Sequence, residues 1–272
     1  MLNHTPTTST GAGRLSLNLA TIRAASFERK LHAAYTAGFS AVGLLRHEIE
    51  ESGEEGLTEL QLSGLRVSEL VSVSGWADVD STSRTIALAK AEQTFELARD
   101  LGCDIVVAEP DRGPVDLVTA AGQFRELCRL ADPYGMLVGL EFSGAAARVK
   151  DLAASWQLVE AAEADNGGLV LDTFHFHLGG STLRMLEPVP GDKIFLVQVS
   201  DSMHLPRHEL ADCHRLYPGE GTISLEPILA ALGEKGYAGY YSLEVLNEGY
   251  WQEDPVIVAR DGMRAMRRLQ LI

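Results

Sequence analysis

The chain has 272 residues, 46% of them hydrophobic, and a formal net charge of −15. That is enough apolar material for a large core, while so acidic a surface repels phosphate backbones and argues against general nucleic-acid binding. No run of about 18 apolar residues occurs, so no membrane span is expected.

The opening stretch "MLNHTPTTSTGAG" has neither a basic segment nor an apolar one, and its Thr, Ser and Gly content predicts a disordered leader over residues 1–13. A first strand is predicted in "RLSLNLA". "SFERKLHAAYTAG" then reads as a helix bounded by Ser26 and Gly38. "AVGLL" and "RVSELVSV" are the second and third strands. "SRTIALAKAEQTFELARDLG" repeats apolar residues at helical spacing and stops at Gly102. "DIVVAEP" is the fourth strand and precedes the helical "VDLVTAAGQFRELCRLADPYG". "LVGLEF", the helical "KDLAASWQLVEAAEADNGG" and "GLVLDTF" follow. The last units are "IFLVQVSD", the helical "SLEPILAALGEKGYAG" and the strand "YYSLEVL".

Each strand is short and nearly all apolar, as in parallel strands buried on both faces. About eight of them alternating with helices, in a chain of this length, predict a single-domain (β/α)8 TIM barrel over residues 14–272. A doubly wound open sheet is the competing architecture, but no GxGxxG follows the first strand. Cys103, Cys128 and Cys213 are scattered and form no CxxC, which predicts free thiols in a reducing cytoplasm.

In a barrel the chemistry sits at the C-terminal ends of the strands. Strand five ends in Glu141, strand six in Asp172, strand seven in Gln198 and strand eight in Glu244. A single acid at a strand end is commonly a helix cap or an ion-pair partner. Four successive strands with an oxygen-bearing residue at matching depth point elsewhere. Three converging carboxylates resist ionising together, and a divalent cation resolves that conflict. An all-oxygen set of three carboxylates and one amide suits Mg2+ or Mn2+.

"LEF", "LDTFH", "VQVSD", "PGEG" and "SLEV", in that order, give a chain that resembles the xylose-isomerase-like TIM barrels, the sugar phosphate isomerase/epimerase family, from about Leu15 to Leu269. The resemblance implies one divalent metal, Mn2+ or Mg2+ first and Co2+ or Zn2+ next, held by Glu141, Asp172, Gln198 and Glu244. Gln198 stands where many members have His, and the 3-dehydroshikimate dehydratase branch of the family carries Gln there. The Asp-x-x-His motif places His175 toward substrate. An Arg just before the Gly-rich turn binds substrate in related dehydratases, which implies that role for Arg215.

The expected chemistry is proton abstraction α to a carbonyl, with Glu141, Glu244 and His175 as catalytic residues and His175, Arg215 and Trp76 contacting substrate. An isomerase or epimerase returns the proton; a dehydratase of a polyhydroxylated keto ring, such as 3-dehydroshikimate or inosose, expels a hydroxyl instead. A non-catalytic barrel subunit is a further alternative. DNA repair on this fold needs more His ligands and a basic face, which the −15 charge opposes. The expected partner is a small polyhydroxylated carbonyl compound, with no nucleic acid or membrane and with a homo-oligomer as an option. Arg46, His47, His204, Arg207 and His208 receive no role, and Glu48 and Glu109 remain strand-end acids without an assignment.

Overall fold

The computed structural model describes residues 14–78, 80–109 and 116–269. The predicted leader therefore lies outside the described residues. Among the described residues there are ten strands: β1 (Leu15–Asn18), β2 (Ala41–Leu45), β3 (Arg66–Val73), β4 (Ile105–Ala108), β5 (Leu137–Glu141), β6 (Gly167–Asp172), β7 (Ile194–Val199), β8 (Asp201–Ser202), β9 (Arg215–Leu216) and β10 (Tyr240–Leu243). All except β8 and β9 pair in parallel and close into one eight-stranded barrel, in which β10 sits between β7 and β1. The open-sheet alternative is thereby excluded.

The helices are α1 (Phe27–Ala37), α2 (Arg46–Ser63), α3 (Ser81–Asp100), α4 (Leu117–Ala131), α5 (Leu152–Ala162), α6 (Thr173–Leu178), α7 (Leu183–Leu186), α8 (Leu225–Glu234), α9 (Glu248–Trp251) and α10 (Pro255–Arg268). Aspartates begin many of them. Asp80, Asp116, Asp151, Asp172 and Asp254 each accept a backbone N–H from the first turn of the helix they precede. Each satisfies a donor that the helix itself leaves unpaired. α1 starts after Ser26 as expected, though the Ser26 side chain makes no cap bond. It ends at Gly38, whose φ of 87° lies in the left-handed region glycine favours.

Two segments differ from the sequence reading. Residues 46–63 carried no predicted helix, because Gly53 and Gly56 interrupt an acidic stretch. The structure runs α2 through them, with a kink at Gly53 (φ 60°, ψ −153°). "IFLVQVSD" also splits. β7 stops at Val199, and Asp201–Ser202 turn away to pair antiparallel with Arg215–Leu216.

One large cluster of buried aliphatic and aromatic side chains forms most of the core, and Val107, Val170 and Leu196 make a second, small one. Cys103 and Cys128 are buried, Cys213 is exposed, and none is in a disulfide. Burial pushes the Cys128 thiol up to about 12, so it behaves as a small apolar residue. No helix among the described residues is long and apolar enough to cross a membrane.

Candidate active site

Strand register brings the strand-end residues to one face. Glu141 is level with Val170, Asp172 with Gln198, and Gln198 with Ser242. Asp172 lies two residues beyond Val170, and Glu244 two beyond Ser242. Side chains alternate along a strand, so even offsets keep all four on the same side of the barrel wall. All four are buried.

Around them the contacts are close. Asp172 Oδ1 accepts the His175 backbone N–H at 2.8 Å, which starts α6 and fixes where His175 stands. Asp172 Oδ2 takes Arg215 Nη1 at 2.6 Å. The same nitrogen lies 3.5 Å from Glu244 Oε2 and 3.2 Å from Ser200 Oγ. Glu244 Oε1 accepts Asn18 Nδ2 at 2.9 Å and Gln198 Nε2 at 3.3 Å. Gln198 Oε1 is buried and has no hydrogen-bond partner among the described residues. Glu141 Oε1 lies 3.8 Å from His175 Nε2. Ligand atoms of Glu141, Asp172 and His175 fall within 4.8 Å of one another, so His175 stands in one cluster with these two carboxylates.

The electrostatics follow from this crowding. Burial first, then Glu244 and Asp172, push Glu141 well above the usual carboxylate range. Burial does the same to Glu244, against the opposing pull of Arg215. Burial would also raise Asp172, but the Arg215 guanidinium, with His175 and the His175 backbone N–H, together outweigh it and hold the carboxyl low. His175 is pushed down by burial, with Asp172 pulling upward and Arg215 downward, which favours the neutral imidazole. Its Nδ1 accepts the Gly144 N–H at 3.4 Å, which leaves the ring hydrogen on Nε2, on the side of Glu141 Oε1.

Arg215 is far more embedded than a loop arginine poised for substrate. Its guanidinium is buried, stacks 4.6 Å over the Phe174 ring, and reaches Asp212 Oδ1 at 3.2 Å as well as Asp172 and Glu244. The "PGEG" turn spends two of its N–H groups internally. Gly219 and Gly221 N–H both donate to Asp201 Oδ2, while Ser202 and Ile223 N–H donate to Oδ1. Asp201 thus ties down the loop that carries Arg215.

Trp76 is buried against Phe124 of α4, ring centroids 5.5 Å apart, and its indole N–H donates to the Glu109 carbonyl at 2.7 Å. These contacts belong to packing of the wall rather than to the acidic cluster. Arg46 turns outward and bonds to Glu50, Thr94 and the Lys90 carbonyl. Glu48 pairs with buried Lys30 at 2.5 Å. His47, His204, Arg207 and His208 are exposed.

Two residues of this network escaped the sequence reading: Asn18 at the end of β1 and Glu69 in the middle of β3. Both are fully buried. A polar residue within an apolar strand is the signal that singled out Gln198, and "LSLN" and "SELV" carry it too.

A ring of buried oxygens at the C-terminal mouth of a closed (β/α)8 barrel defines the class of site that enzymes of this fold use. The chain belongs to the xylose isomerase-like TIM barrel family, whose family model matches residues 31–269. It is 38% identical over 161 residues to the inosose isomerase of Halalkalibacterium halodurans, a match that covers 58% of this chain and 55% of that protein. It is 30% identical over 251 residues to the 3-dehydroshikimate dehydratase of Pseudomonas aeruginosa, covering 89% of this chain but 39% of that protein. These matches thus span about half the length of the first relative and less of the second. Among solved structures, that of IOLI protein with a binding zinc atom superposes with a TM-score of 0.85 at 25% identity, covering 94% of this chain and 96% of that one.

Proposed function

We propose that this chain is a divalent-metal-dependent isomerase or epimerase of a polyhydroxylated ketone of the inosose type. The observation that carries the reading is the inward ring of Glu141, Asp172, Gln198 and Glu244, in which the buried Gln198 Oε1 has no partner among the described residues. Buried polar atoms are rarely left unpaired, and a cation satisfies this one together with three crowded carboxylates. Glu141, Asp172, Gln198 and Glu244 would hold the ion. The donor set is all oxygen, which suits Mn2+ or Mg2+, while the zinc in the IOLI structure keeps zinc a candidate. When bound, the ion polarises the substrate carbonyl and so acidifies the neighbouring C–H.

The remaining chemistry belongs to the chain. In this reading Glu141 and Glu244 take the proton from one face of the substrate and return it to the other. Glu141 is suited to proton exchange because burial already raises its proton affinity. His175 Nε2, beside Glu141, hands a hydrogen to a substrate oxygen. Arg215 compensates the charge of Asp172 and Glu244, and from its buried position presents to substrate only what those two leave free. Trp76 acts at one remove, by holding the Glu109 segment. We read the described residues as one catalytic domain. Its free thiols support a cytoplasmic setting and its net charge supports a small-molecule partner; a homo-oligomer is compatible with this.

Dehydration of a keto ring is the second reading, and Gln198 favours it, as does the long match to the 3-dehydroshikimate dehydratase. Both routes share the first proton abstraction. A screen of keto cyclitols, keto sugars and 3-dehydroshikimate with added Mn2+, followed by NMR in deuterated water and by ultraviolet absorbance, separates them. Deuterium at the α carbon without enone supports the isomerase. Enone growth supports the dehydratase. Neither signal with any of these substrates counts against both.

A further inference from the structure

Glu244 differs from its three neighbours in how it is held. Gln198 lies within β7, Glu141 ends β5, and Asp172 ends β6 and caps α6. Glu244 comes just after β10, where the chain has left the strand. Its side chain is aimed by hydrogen bonds instead. Asn18 Nδ2 donates to Oε1 at 2.9 Å, the shorter of the two amide contacts there.

The Asn18 amide has no freedom to turn over. Its Oδ1 accepts the Ala20 backbone N–H at 3.0 Å, so Nδ2 must face the carboxylates. The second Nδ2 hydrogen points to Glu69 Oε1 at 3.4 Å. Glu69 is itself held from below. Ser242 Oγ donates to its Oε1 at 2.7 Å, Ser68 Oγ donates to Oε2, and Ser16 Oγ lies 2.6 Å from Ser68 Oγ. Gly43 leaves the room this needs, because a Cβ there would stand 2.0 Å from Glu69 Oε1. A polar floor therefore runs across the barrel lumen beneath the mouth, and Asn18 joins it to Glu244.

We propose that Asn18, anchored on Glu69, is a positioning residue that with Gln198 occupies Glu244 Oε1 and so leaves Oε2, which has Arg215 Nη1 beside it at 3.5 Å, as the oxygen offered to the metal. The inference rests on the reading of Glu244 as a ligand. Groups that orient metal ligands commonly contribute 10–100-fold to affinity, so a loss of about that size is expected when the donor is removed.

Asn18→Ser separates this role from simple capping, because serine keeps an acceptor for the Ala20 N–H and loses only the Nδ2 donor. Mn2+ alone is titrated into chelator-stripped wild type and variant by calorimetry, with electron paramagnetic resonance of the bound ion and the melting temperature of the metal-free protein alongside. Weaker Mn2+ binding, by about 10–100-fold, with a changed resonance and a nearly unchanged melting temperature is the expected result. Wild-type affinity and spectrum in Asn18→Ser overturn the inference and leave the metal reading standing. A wild type that binds no Mn2+ sinks the metal reading and this inference with it. If Asn18 variants fail to fold, Glu69→Gln carries the test, since it keeps Asn18 and its cap; unchanged Mn2+ binding there overturns the anchoring role.

Discussion

Arg215 Nη1 stands 2.6 Å from Asp172 Oδ2, and both side chains are almost wholly withdrawn from solvent. A buried carboxylate and a buried guanidinium at this distance depend on one another. Removing one partner leaves the other as an uncompensated charge, which costs far more than the intact pair contributes. Arg215→Ala is therefore expected to lower the stability of the metal-free protein by about 3–5 kcal/mol, measured by urea unfolding. Saturating Mn2+ should restore a good part of it, because the ion supplies the missing positive charge. A loss that Mn2+ leaves untouched would place Arg215 in folding alone.

Gln198 sets the nature of the donor set. Gln198→His puts a nitrogen ligand where an amide oxygen stood, so the preference should shift toward Zn2+ relative to Mn2+. Gln198→Leu removes both the free oxygen and one of the two amide donors to Glu244, and should weaken either ion by an order of magnitude or more. Competitive calorimetry with the two ions reads both outcomes, and equal affinities across all three proteins would contradict a ligand role.

The pH dependence of the chelated protein follows from Glu141 and Glu244. Both have folded-state pKa values well above 4.5, so between pH 4.5 and those raised values the folded state binds more protons than the unfolded chain. Stability then falls as pH rises through this window, and remains low above it. Asp172 acts in the opposite sense. Its lowered pKa contributes stability above about 3.8 that is lost as pH drops through the lowered value. Melting temperatures in chelator should thus peak on the acidic side of neutrality. Glu141→Gln should flatten the alkaline decline, and added metal should oppose it while releasing protons.

Asp201 is a structural counterpart to these residues. Its two oxygens receive four backbone N–H groups, including those of Gly219 and Gly221. Asp201→Asn turns one acceptor into a donor that faces other donors. A cost of about 1–3 kcal/mol is expected, with faster hydrogen exchange at Gly219 and Gly221. Protection equal to wild type at those amides would argue against the role.

Much of this molecule was legible in the chain. The βα rhythm is written in runs such as "AVGLL" and "IFLVQV", because parallel strands buried on both faces leave little room for polar residues. That same purity made Glu141, Asp172, Gln198 and Glu244 visible as exceptions. The reading stopped where position depends on distant partners. Nothing local in "HRLYPGEG" reveals that Asp201 consumes the glycine N–H groups, or that Arg215 folds back onto Asp172 rather than facing outward. Trp76 reads as a substrate contact from its strand-end place alone, and only the packing against Phe124 of α4 reveals an indole in the wall. Residues 46–63 hid a helix because their glycines weaken local preference, while contacts such as Arg46 with Thr94 supply what propensity lacks.

Gly43 and Glu69 occupy one volume between them, on adjacent strands and at the same level of the barrel. Neither position is free to change alone. A side chain at 43 displaces the Glu69 carboxylate, and displacing it undoes the contact that Asn18 makes with it. In the history of the family these two sites should therefore vary as a couple. Relatives that carry a residue larger than glycine at the first should also have given up the acid at the second, and with it the present way of aiming Glu244.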